Sequence, residues 1–309
     1  MVCDKERNNM PGYVKLLETG ELDNRIKILN ERLKKCIICP HQCKVDRTVG
    51  ERCFCRAGAN AVIDGYGPHY GEESVLVGKG GSGTIFFSFC TLQCVFCQNC
   101  SISYYGEGYE VSPSELARIM LFLQNKGCHN INLVSPTHFV PQIIEAVRIA
   151  ARDGLKLPLV YNTGGYDETD TLKLLEGIVD IYMPDIKFGD NAKAKKYTKA
   201  NKYFDIVKAA VKEMHRQVGN LKTNEEGIAC KGLLVRHLVM PENVADTDKI
   251  LEFIAGEISK NTFINIMSQY YPAHKSWSYP ELSRRIDKDE YIAAVKYAET
   301  LGLSNIVTT

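Results

Sequence analysis

The sequence predicts an α/β fold built on a parallel sheet, because short apolar strands alternate with amphipathic helices along most of the chain. Six apolar runs are predicted as strands: residues 83–89, 130–135, 157–162, 178–183, 233–240 and 262–268. Polar residues follow several of these runs. The carboxyl edge of a barrel-like parallel sheet is where such folds hold their ligands, so we expect a binding site there.

Helices are predicted between the strands and after the last one. They lie at residues 112–127, 141–154, 167–177, about 246–258 and 287–302, with further helical segments up to about 218. The first has the clearest end signals. Ser112 is its predicted N-cap, Pro113 and Glu115 complete a capping box in the first turn, and Gly127 ends it.

The chain is predicted to divide into an N-terminal part, residues 1–80, and a barrel part, residues 81–309. The N-terminal part contains a predicted helix at 13–34 and a cysteine-rich segment. The run GKGGSG at 78–83 precedes the first strand instead of opening a helix, so we expect a flexible joint. No Gly-x-Gly-x-x-Gly motif follows a strand, which argues against a dinucleotide-binding fold.

The bulk composition is that of an ordinary globular protein, with 24% charged residues and a formal net charge of +1. This charge gives no electrostatic case for binding nucleic acid or acidic membranes. The first residues are charged and lack the apolar run of a signal peptide, and no stretch approaches the length of a membrane span. We expect a cytoplasmic protein that binds neither nucleic acid nor membranes.

Cysteine is the most informative residue type. Of 12 cysteines, five form one group and four another, while three stand apart. The groups are Cys36, Cys39, Cys43, Cys53 and Cys55, then Cys90, Cys94, Cys97 and Cys100. Thiols stay reduced in the cytosol, so such groups indicate metal before disulfides. The isolated Cys3, Cys128 and Cys230 are expected to be structural.

Cys90, Cys94 and Cys97 have the spacing C-x3-C-x2-C on the loop that leaves the first strand. Three thiolates can hold three irons of a cubane cluster and leave the fourth iron open to a substrate or cofactor. A structural zinc usually takes four protein ligands, and four-cysteine ligation suits electron transfer better. The spacing favours a catalytic cluster. A non-catalytic electron carrier or metal-binding scaffold is the alternative from another class.

With Phe96 as its aromatic residue, the C-x3-C-x-aromatic-C motif after the first of six strands resembles the signature of radical S-adenosylmethionine (SAM) enzymes. Further segments are similar to the subgroup described as pyruvate formate-lyase activating enzyme-like: GSGTIFFSFCTLQCVFCQN, HNINLVSPTHFVPQI, LPLVYNTGGYD, VDIYMPDIKFGDN, GLLVRHLVMPEN and MSQYYPAH. The resemblance implies a partial (β/α)6 barrel with a [4Fe-4S] cluster whose open iron binds SAM. It also implies reductive cleavage of SAM to a 5'-deoxyadenosyl radical that abstracts hydrogen from a substrate.

The resemblance also implies partners. Reduced flavodoxin or ferredoxin would supply the electron, and the radical would act on a glycine of a glycyl radical enzyme. Direct modification of a small molecule or a peptide stays open, because two positions depart from the activating enzymes.

Several residues are assigned by the resemblance. Asp185 and Lys187 match the Asp-x-Lys of the family and are expected to act as catalytic residues beside the cofactor and substrate. Phe96 is expected near the adenine. Arg236 matches an arginine of the fifth strand and is expected to bind the carboxylate of SAM, with internal pairing to Asp185 as the alternative. Cys100 has no role in the family pattern, although a fourth thiol near the cluster is possible.

The departures concern the ends of the second and third strands. Where activating enzymes carry Gly-Gly-Glu for the amino group of SAM, this chain has Ser-Pro-Thr-His at 135–138. Thr137 or His138 could make that contact, or His138 could be structural. Where they carry Asp-Thr-Asn-Gly, this chain starts with Asn162 and Thr163. The missing charge puts a cation site there in doubt.

Cys36, Cys39, Cys43 and Cys55 supply four thiolates, enough for a zinc ion or an auxiliary iron–sulfur cluster. Cys53 is a fifth candidate, and the Gly-Phe-Cys ending typical of the family favours Cys55. The alternative is a set of free thiols packed against the barrel. The segment has no hydrophobic core of its own, which argues for a metal.

Overall fold

A computed structural model describes residues 10–308 and shows a mixed sheet open at both edges. Within those residues its strands are β1 Ala61–His69, β2 Ser82–Phe87, β3 Tyr109–Val111, β4 Ile131–Val134, β5 Leu159–Thr163, β6 Ile181–Pro184, β7 Lys222–Thr223, β8 Ala229–Leu238, β9 Phe263–Met267 and β10 Asn305–Thr308. Parallel pairs join β2, β4, β5, β6, β8, β9 and β10 in that order. The predicted partial barrel is confirmed.

The helices are α1 Gly12–Glu18, α2 Glu21–Lys34, α3 Ser74–Val77, α4 Pro113–Asn125, α5 Val140–Arg152, α6 Thr169–Lys173, α7 Asn191–Thr198, α8 Tyr203–Val218, α9 Thr247–Phe253 and α10 Lys288–Thr300. At α4 the predicted capping box is present: Ser112 Oγ accepts from the Glu115 N–H, and the Glu115 carboxylate accepts from the Ser112 N–H. The helix predicted at 13–34 is two helices, separated at Gly20, whose φ of 75° a helix does not accommodate.

Strand β1 was missed by the sequence analysis, although it pairs antiparallel with β2 and β3. Its sequence, AVIDGYGPH, contains two glycines and a proline, which are typical of loops. Strand β3 pairs only with residues 61–63, so Gly65, Gly67 and Pro68 lie where β1 has a single partner strand and fewer ladder hydrogen bonds are required. Through β1 the N-terminal part joins the sheet, and both parts contribute to one hydrophobic core.

The connection from β1 to β2 closes the amino-terminal end of the barrel. Leu76, on α3, is fully buried against Val160, Ile181 and Leu234, which project from three parallel strands. We call residues 72–77 the plug.

The prediction of a flexible joint at 78–83 is wrong. The Gly81 N–H donates to Val77 O at 2.7 Å, and the Gly83 N–H donates to Asn130 O at 3.1 Å. A Cβ at Gly83 would lie 2.6 Å from Asn130 O. These glycines therefore allow close backbone packing rather than mobility.

No helix within residues 10–308 is long and apolar enough to cross a membrane.

If the plug completes the barrel core, Leu76→Ala should lower the free energy of unfolding by about 2–5 kcal/mol, because it leaves a cavity that the strands around it cannot fill. Urea denaturation followed by circular dichroism measures this. Ile28→Ala, at a site 46% exposed on α2, is the control and should change stability by less than about 1 kcal/mol. Equal effects of the two substitutions would contradict the role of the plug.

Candidate active site

A cavity of about 270 Å³ lies at the carboxyl ends of the parallel strands. Nine residues singled out from the sequence line it: Cys90, Cys94, Phe96, Cys97, Asn162, Thr163, Asp185, Lys187 and Arg236. They come from the loop after β2 and from the ends of β5, β6 and β8. The fold thus brings the cysteine loop and the polar strand ends to one place.

The loop that carries the three cysteines is held by hydrogen bonds on both sides. The Gln93 and Val95 N–H groups donate to Thr198 O and Tyr197 O at 3.0 and 2.9 Å. Cys97 Sγ lies 2.9 Å from Ser103 Oγ, and Cys90 Sγ accepts from the Leu92 N–H at 3.3 Å. These contacts therefore fix the backbone of the loop and orient the thiols of Cys90 and Cys97.

Burial raises the pKa of Cys90 to about 11 and raises that of Cys94 as well, because a thiolate in this cavity is poorly solvated. A metal would supply the missing positive charge and deprotonate such thiols. Within residues 10–308, no three His, Cys, Asp or Glu side chains are grouped to hold one metal ion. The three cysteines are free thiols that line one cavity, and a cubane takes this kind of donor, each thiolate binding a different iron.

Arg236 is the centre of an ion network at the floor of the cavity. Its Nε donates to Asp185 Oδ1 at 2.7 Å, one terminal nitrogen donates to Asn162 Oδ1 at 2.9 Å, and the other to Glu72 Oε2 at 3.2 Å. Glu73 Oε1 lies 3.8 Å from the same guanidinium. The pairing with Asp185 is the alternative considered above.

Asp185 is held between two cations. Lys187 Nζ donates to Asp185 Oδ2 at 2.8 Å, while Arg236 occupies Oδ1. Burial alone would raise the pKa of Asp185, but the charges of Arg236 and Lys187 outweigh it and lower the pKa to about 2. Asp185 is therefore ionised, and both of its oxygens are engaged within the protein.

Asp167 was missed by the sequence analysis and organises the wall behind Thr163. Its buried carboxylate accepts hydroxyl hydrogen bonds from Thr163 at 2.6 Å, Thr137 at 2.8 Å and Tyr161 at 2.9 Å. Burial raises the pKa of Asp167, and these three donors oppose the shift. The only sequence signal was its position just after the Gly-Gly turn at 164–165. A residue in such a loop belongs to no helical or strand pattern that would predict its burial.

Thr137 and His138 do not line the cavity. The Thr137 hydroxyl donates a hydrogen bond to Asp167 Oδ1, and His138 Nε2 lies 2.9 Å from Ser88 O. Burial lowers the pKa of His138 to about 3, so its ring is neutral. The residue of this stretch that faces the cavity is Ser135, in the left-handed backbone region with φ 59°.

The remaining predicted residues differ in whether they line the cavity. Phe96 lines the cavity and also packs against Phe188 and Tyr270, with ring centroids 5.8 and 6.3 Å away. Cys100 does not line the cavity. Cys128 is buried, as expected of a structural cysteine, and Cys3 lies outside the described residues.

Known proteins resemble this chain over most of its length. The family model of the radical SAM superfamily matches residues 84–254. Uncharacterized protein MJ0674 of Methanocaldococcus jannaschii is 33% identical over 295 residues, which cover 92% of this chain and 80% of that protein. Uncharacterized protein MJ0808 of the same organism is 25% identical over 274 residues, which cover 82% of this chain and 75% of that protein.

Among solved structures, a radical SAM methyltransferase from Sphaerobacter thermophilus has the same fold, with a TM-score of 0.51 at 13% identity. The match covers 74% of this chain and 66% of that structure, just under two thirds of its length. Because the family model matches more than half of the chain, the chain belongs to the radical SAM superfamily, and it is an enzyme that uses a [4Fe-4S] cluster, an electron donor and a substrate to carry out radical chemistry from S-adenosylmethionine.

Proposed function

We propose that Cys90, Cys94 and Cys97 hold the catalytic cluster and that SAM binds in the adjoining cavity. The observation that carries this proposal is that one cavity is lined both by the three thiols and by the polar ends of β5, β6 and β8. When bound, the cluster and SAM supply a 5'-deoxyadenosyl radical that removes hydrogen from a substrate.

Lys187 is the proposed ligand for the carboxylate of SAM, in place of Arg236. An ammonium has three donors, and one of them goes to Asp185. The other donors can serve a ligand, since Lys187 lines the cavity. Arg236 is already engaged by Asp185, Asn162 and Glu72, so we assign it, with Asp185, a positioning role.

The cavity wall offers groups for the rest of SAM. Phe96 presents an apolar ring beside the thiols and is the proposed neighbour of the adenine. Thr163 is fixed by Asp167, and Asn162 keeps its amide nitrogen for a ligand while its oxygen accepts from Arg236. Ser135 is the proposed neighbour of the amino group, because Thr137 and His138 are engaged elsewhere.

The proposed target of the radical is a glycine of a glycyl radical enzyme, with reduced flavodoxin or ferredoxin as electron donor. Its support is the sequence similarity to the activating enzyme-like subgroup. Direct modification of a small molecule or peptide is the alternative, favoured by two departures from the activating enzymes: Ser-Pro-Thr-His at 135–138 in place of Gly-Gly-Glu, and Asn162 in place of an aspartate. Incubation with SAM and a candidate glycyl radical enzyme separates the two, because only an activating enzyme produces a glycyl radical signal in electron paramagnetic resonance.

The cluster assignment is tested by replacing Cys90, Cys94 and Cys97 with Ala. Anaerobic, reduced wild-type protein should convert SAM to 5'-deoxyadenosine, and the triple variant should form none, because no thiolate remains to hold the cluster. Chromatography of the nucleoside measures this. Cys100→Ala, on the same loop but outside the cavity lining, should retain cleavage. Cleavage by the triple variant would refute the assignment.

Lys187→Met tests the carboxylate ligand. A hydrogen bond to a charged group is worth about 1.5–3 kcal/mol, so the affinity for SAM should fall by about ten- to a hundredfold. Calorimetric titration of the protein with its cluster in place measures it. Lys193→Met, which removes a lysine paired with Asp246 away from the cavity lining, should bind SAM like the wild type. Unchanged affinity in Lys187→Met would exclude this role.

Arg236→Met should act mainly on folding. Removing one partner from a buried ion network typically costs about 3–5 kcal/mol, because Asp185 and Glu72 are left without their shared cation. Arg152→Met is the control, since that guanidinium is 55% exposed and its pair with Asp23 should contribute no more than about 1 kcal/mol. Urea denaturation compares the two. An unfolding free energy in Arg236→Met equal to the wild type would contradict the positioning role.

A further inference from the structure

We propose that the electron donor docks on the surface around the outside of the cysteine loop, and that this donor is an acidic protein carrying a one-electron redox group. The docking surface consists of six residues: Arg56, Tyr104, Tyr105, Lys199, Lys275 and Trp277. The proposal rests on the proposed function, because it takes Cys90, Cys94 and Cys97 as the cluster ligands. It adds where the partner binds and which charge the partner carries.

The docking surface adjoins the cavity without belonging to its lining. None of its six residues is among those that line the cavity. Cys97 and Ser103 do line it, and Cys97 Sγ lies 2.9 Å from Ser103 Oγ. Tyr104 follows Ser103 directly in the chain, so the docking surface begins one residue away from a side chain that contacts a proposed cluster ligand.

This placement suits an electron donor better than a substrate. A substrate must reach the cavity, where SAM is proposed to bind, whereas a donor only has to approach the cluster ligands from outside. One electron then passes from the reduced donor to the cluster, so the donor loses one electron and the cluster gains it. A donor bound at these six residues occupies none of the cavity lining.

Two cations of the docking surface, Arg56 and Lys275, are attached to the cysteine loop and its continuation by direct contacts. The Arg56 guanidinium lies 5.0 Å from the centre of the Phe89 ring and donates to Tyr104 O. The Lys275 N–H donates to Val95 O at 2.8 Å, and its ammonium donates to the Tyr104 hydroxyl at 2.9 Å. Both charges are therefore held beside Tyr104.

Lys199 approaches the same region from the end of α7. Thr198 O accepts from the Gln93 N–H at 3.0 Å, so Lys199, the next residue, follows a direct contact with the loop. The pKa of Tyr104 is lowered by all three cations, of which Lys275 has the largest effect through its hydrogen bond and its charge. The three charges thus act on one place.

These cations are available to a partner. All three side chains are exposed. Within residues 10–308 none of them forms an ion pair with a carboxylate, whereas Lys196, in the last turn of α7, pairs with Glu281. Unpaired charges of one sign attract a partner of opposite charge and speed its association. An acidic protein is therefore the partner that this surface selects.

Two exposed aromatic rings complete the docking surface. Trp277 is the only tryptophan of the chain and is 66% exposed, in a turn where the Ser278 N–H donates to Lys275 O at 3.1 Å. Tyr105 is 62% exposed and packs edge-on against Tyr104, with ring centroids 5.2 Å apart. Aromatic residues and arginine are enriched in protein interfaces, and electron-transfer complexes bury less area than most. A few such residues are enough for a transient electron-transfer partner.

Charge reversal tests the docking surface. Anaerobically purified Lys199→Glu/Lys275→Glu is compared with the wild type for binding to an immobilised acidic flavodoxin by surface plasmon resonance. At about 0.01 M salt, where exposed charges are screened least, the association rate of the variant should be at least about tenfold lower. Raising the salt to about 0.1 M should slow association of the wild type and leave that of the variant nearly unchanged.

Lys126→Glu/Lys156→Glu is the matched control. Both lysines are exposed and precede β4 and β5, at the amino end of the sheet, and the substitutions change the net charge by the same amount. This variant should associate with flavodoxin at a rate close to that of the wild type. Equal association rates for the two variants would overturn the proposal, because the position of the charges would then have no effect.

The source of the electron provides the second readout. With limiting flavodoxin as reductant, SAM cleavage by Lys199→Glu/Lys275→Glu should fall by about tenfold, as association does. Dithionite needs no docking surface and should drive cleavage equally in this variant and the wild type. Full flavodoxin-driven cleavage in the variant would overturn the proposal, even if activation of a glycyl radical enzyme were lost, since the surface would then serve the substrate. Absence of dithionite-driven cleavage in the wild type would count against the proposed function alone, and the association rates would still decide the docking surface.

Discussion

The guanidinium of Arg236 is the interaction on which the arrangement of the candidate site depends. It joins Asp185 at the end of β6, Asn162 at the end of β5 and Glu72 of the plug, while it projects from β8. A charge buried in an apolar strand is costly unless it is paired, so these partners must be in place for the strand to fold as it does. Asp185 in turn holds Lys187, the proposed ligand of SAM, at 2.8 Å.

The charges of this network set its behaviour with pH. The folded pKa of Asp185 is about 2, below the usual value for an aspartate, because two cations outweigh its burial. Such a group stabilises the fold above its ordinary pKa, and that contribution disappears as the pH falls toward 2. Asp185 is therefore ionised near neutral pH. Burial raises the pKa of Glu72, which makes the plug the first part of the network to take up a proton on acidification.

The sequence predicted six of the seven parallel strands within the described residues, and it missed β10 as well as the antiparallel β1. The six parallel strands of the prediction and the capping box of α4 follow from short-range sequence patterns, which do not depend on tertiary contacts. The thiols of the 90–97 loop were found because their spacing is itself local. What the sequence could not supply were contacts between distant residues. Glu72 and Arg236 are 164 positions apart, and no local sequence pattern around either residue predicts their contact. The same holds for Asp167, whose role depends on hydroxyl groups from two different strand ends.

The N-terminal part is built into the barrel from two sides, and this explains why its weak local signals still specify one structure. At the amino end of the sheet, Leu76 fills the barrel and Glu72 reaches Arg236. At the carboxyl end, His41 contacts the backbone of the catalytic loop, and Arg47 binds the carbonyl of His138. The N-terminal part, which has no hydrophobic core of its own, is thus stabilised by packing against the core of the barrel. The N-terminal part supplies the Glu72 carboxylate to the floor of the cavity, and His41 supports the loop that carries the proposed cluster ligands. Neither part therefore forms a complete site alone.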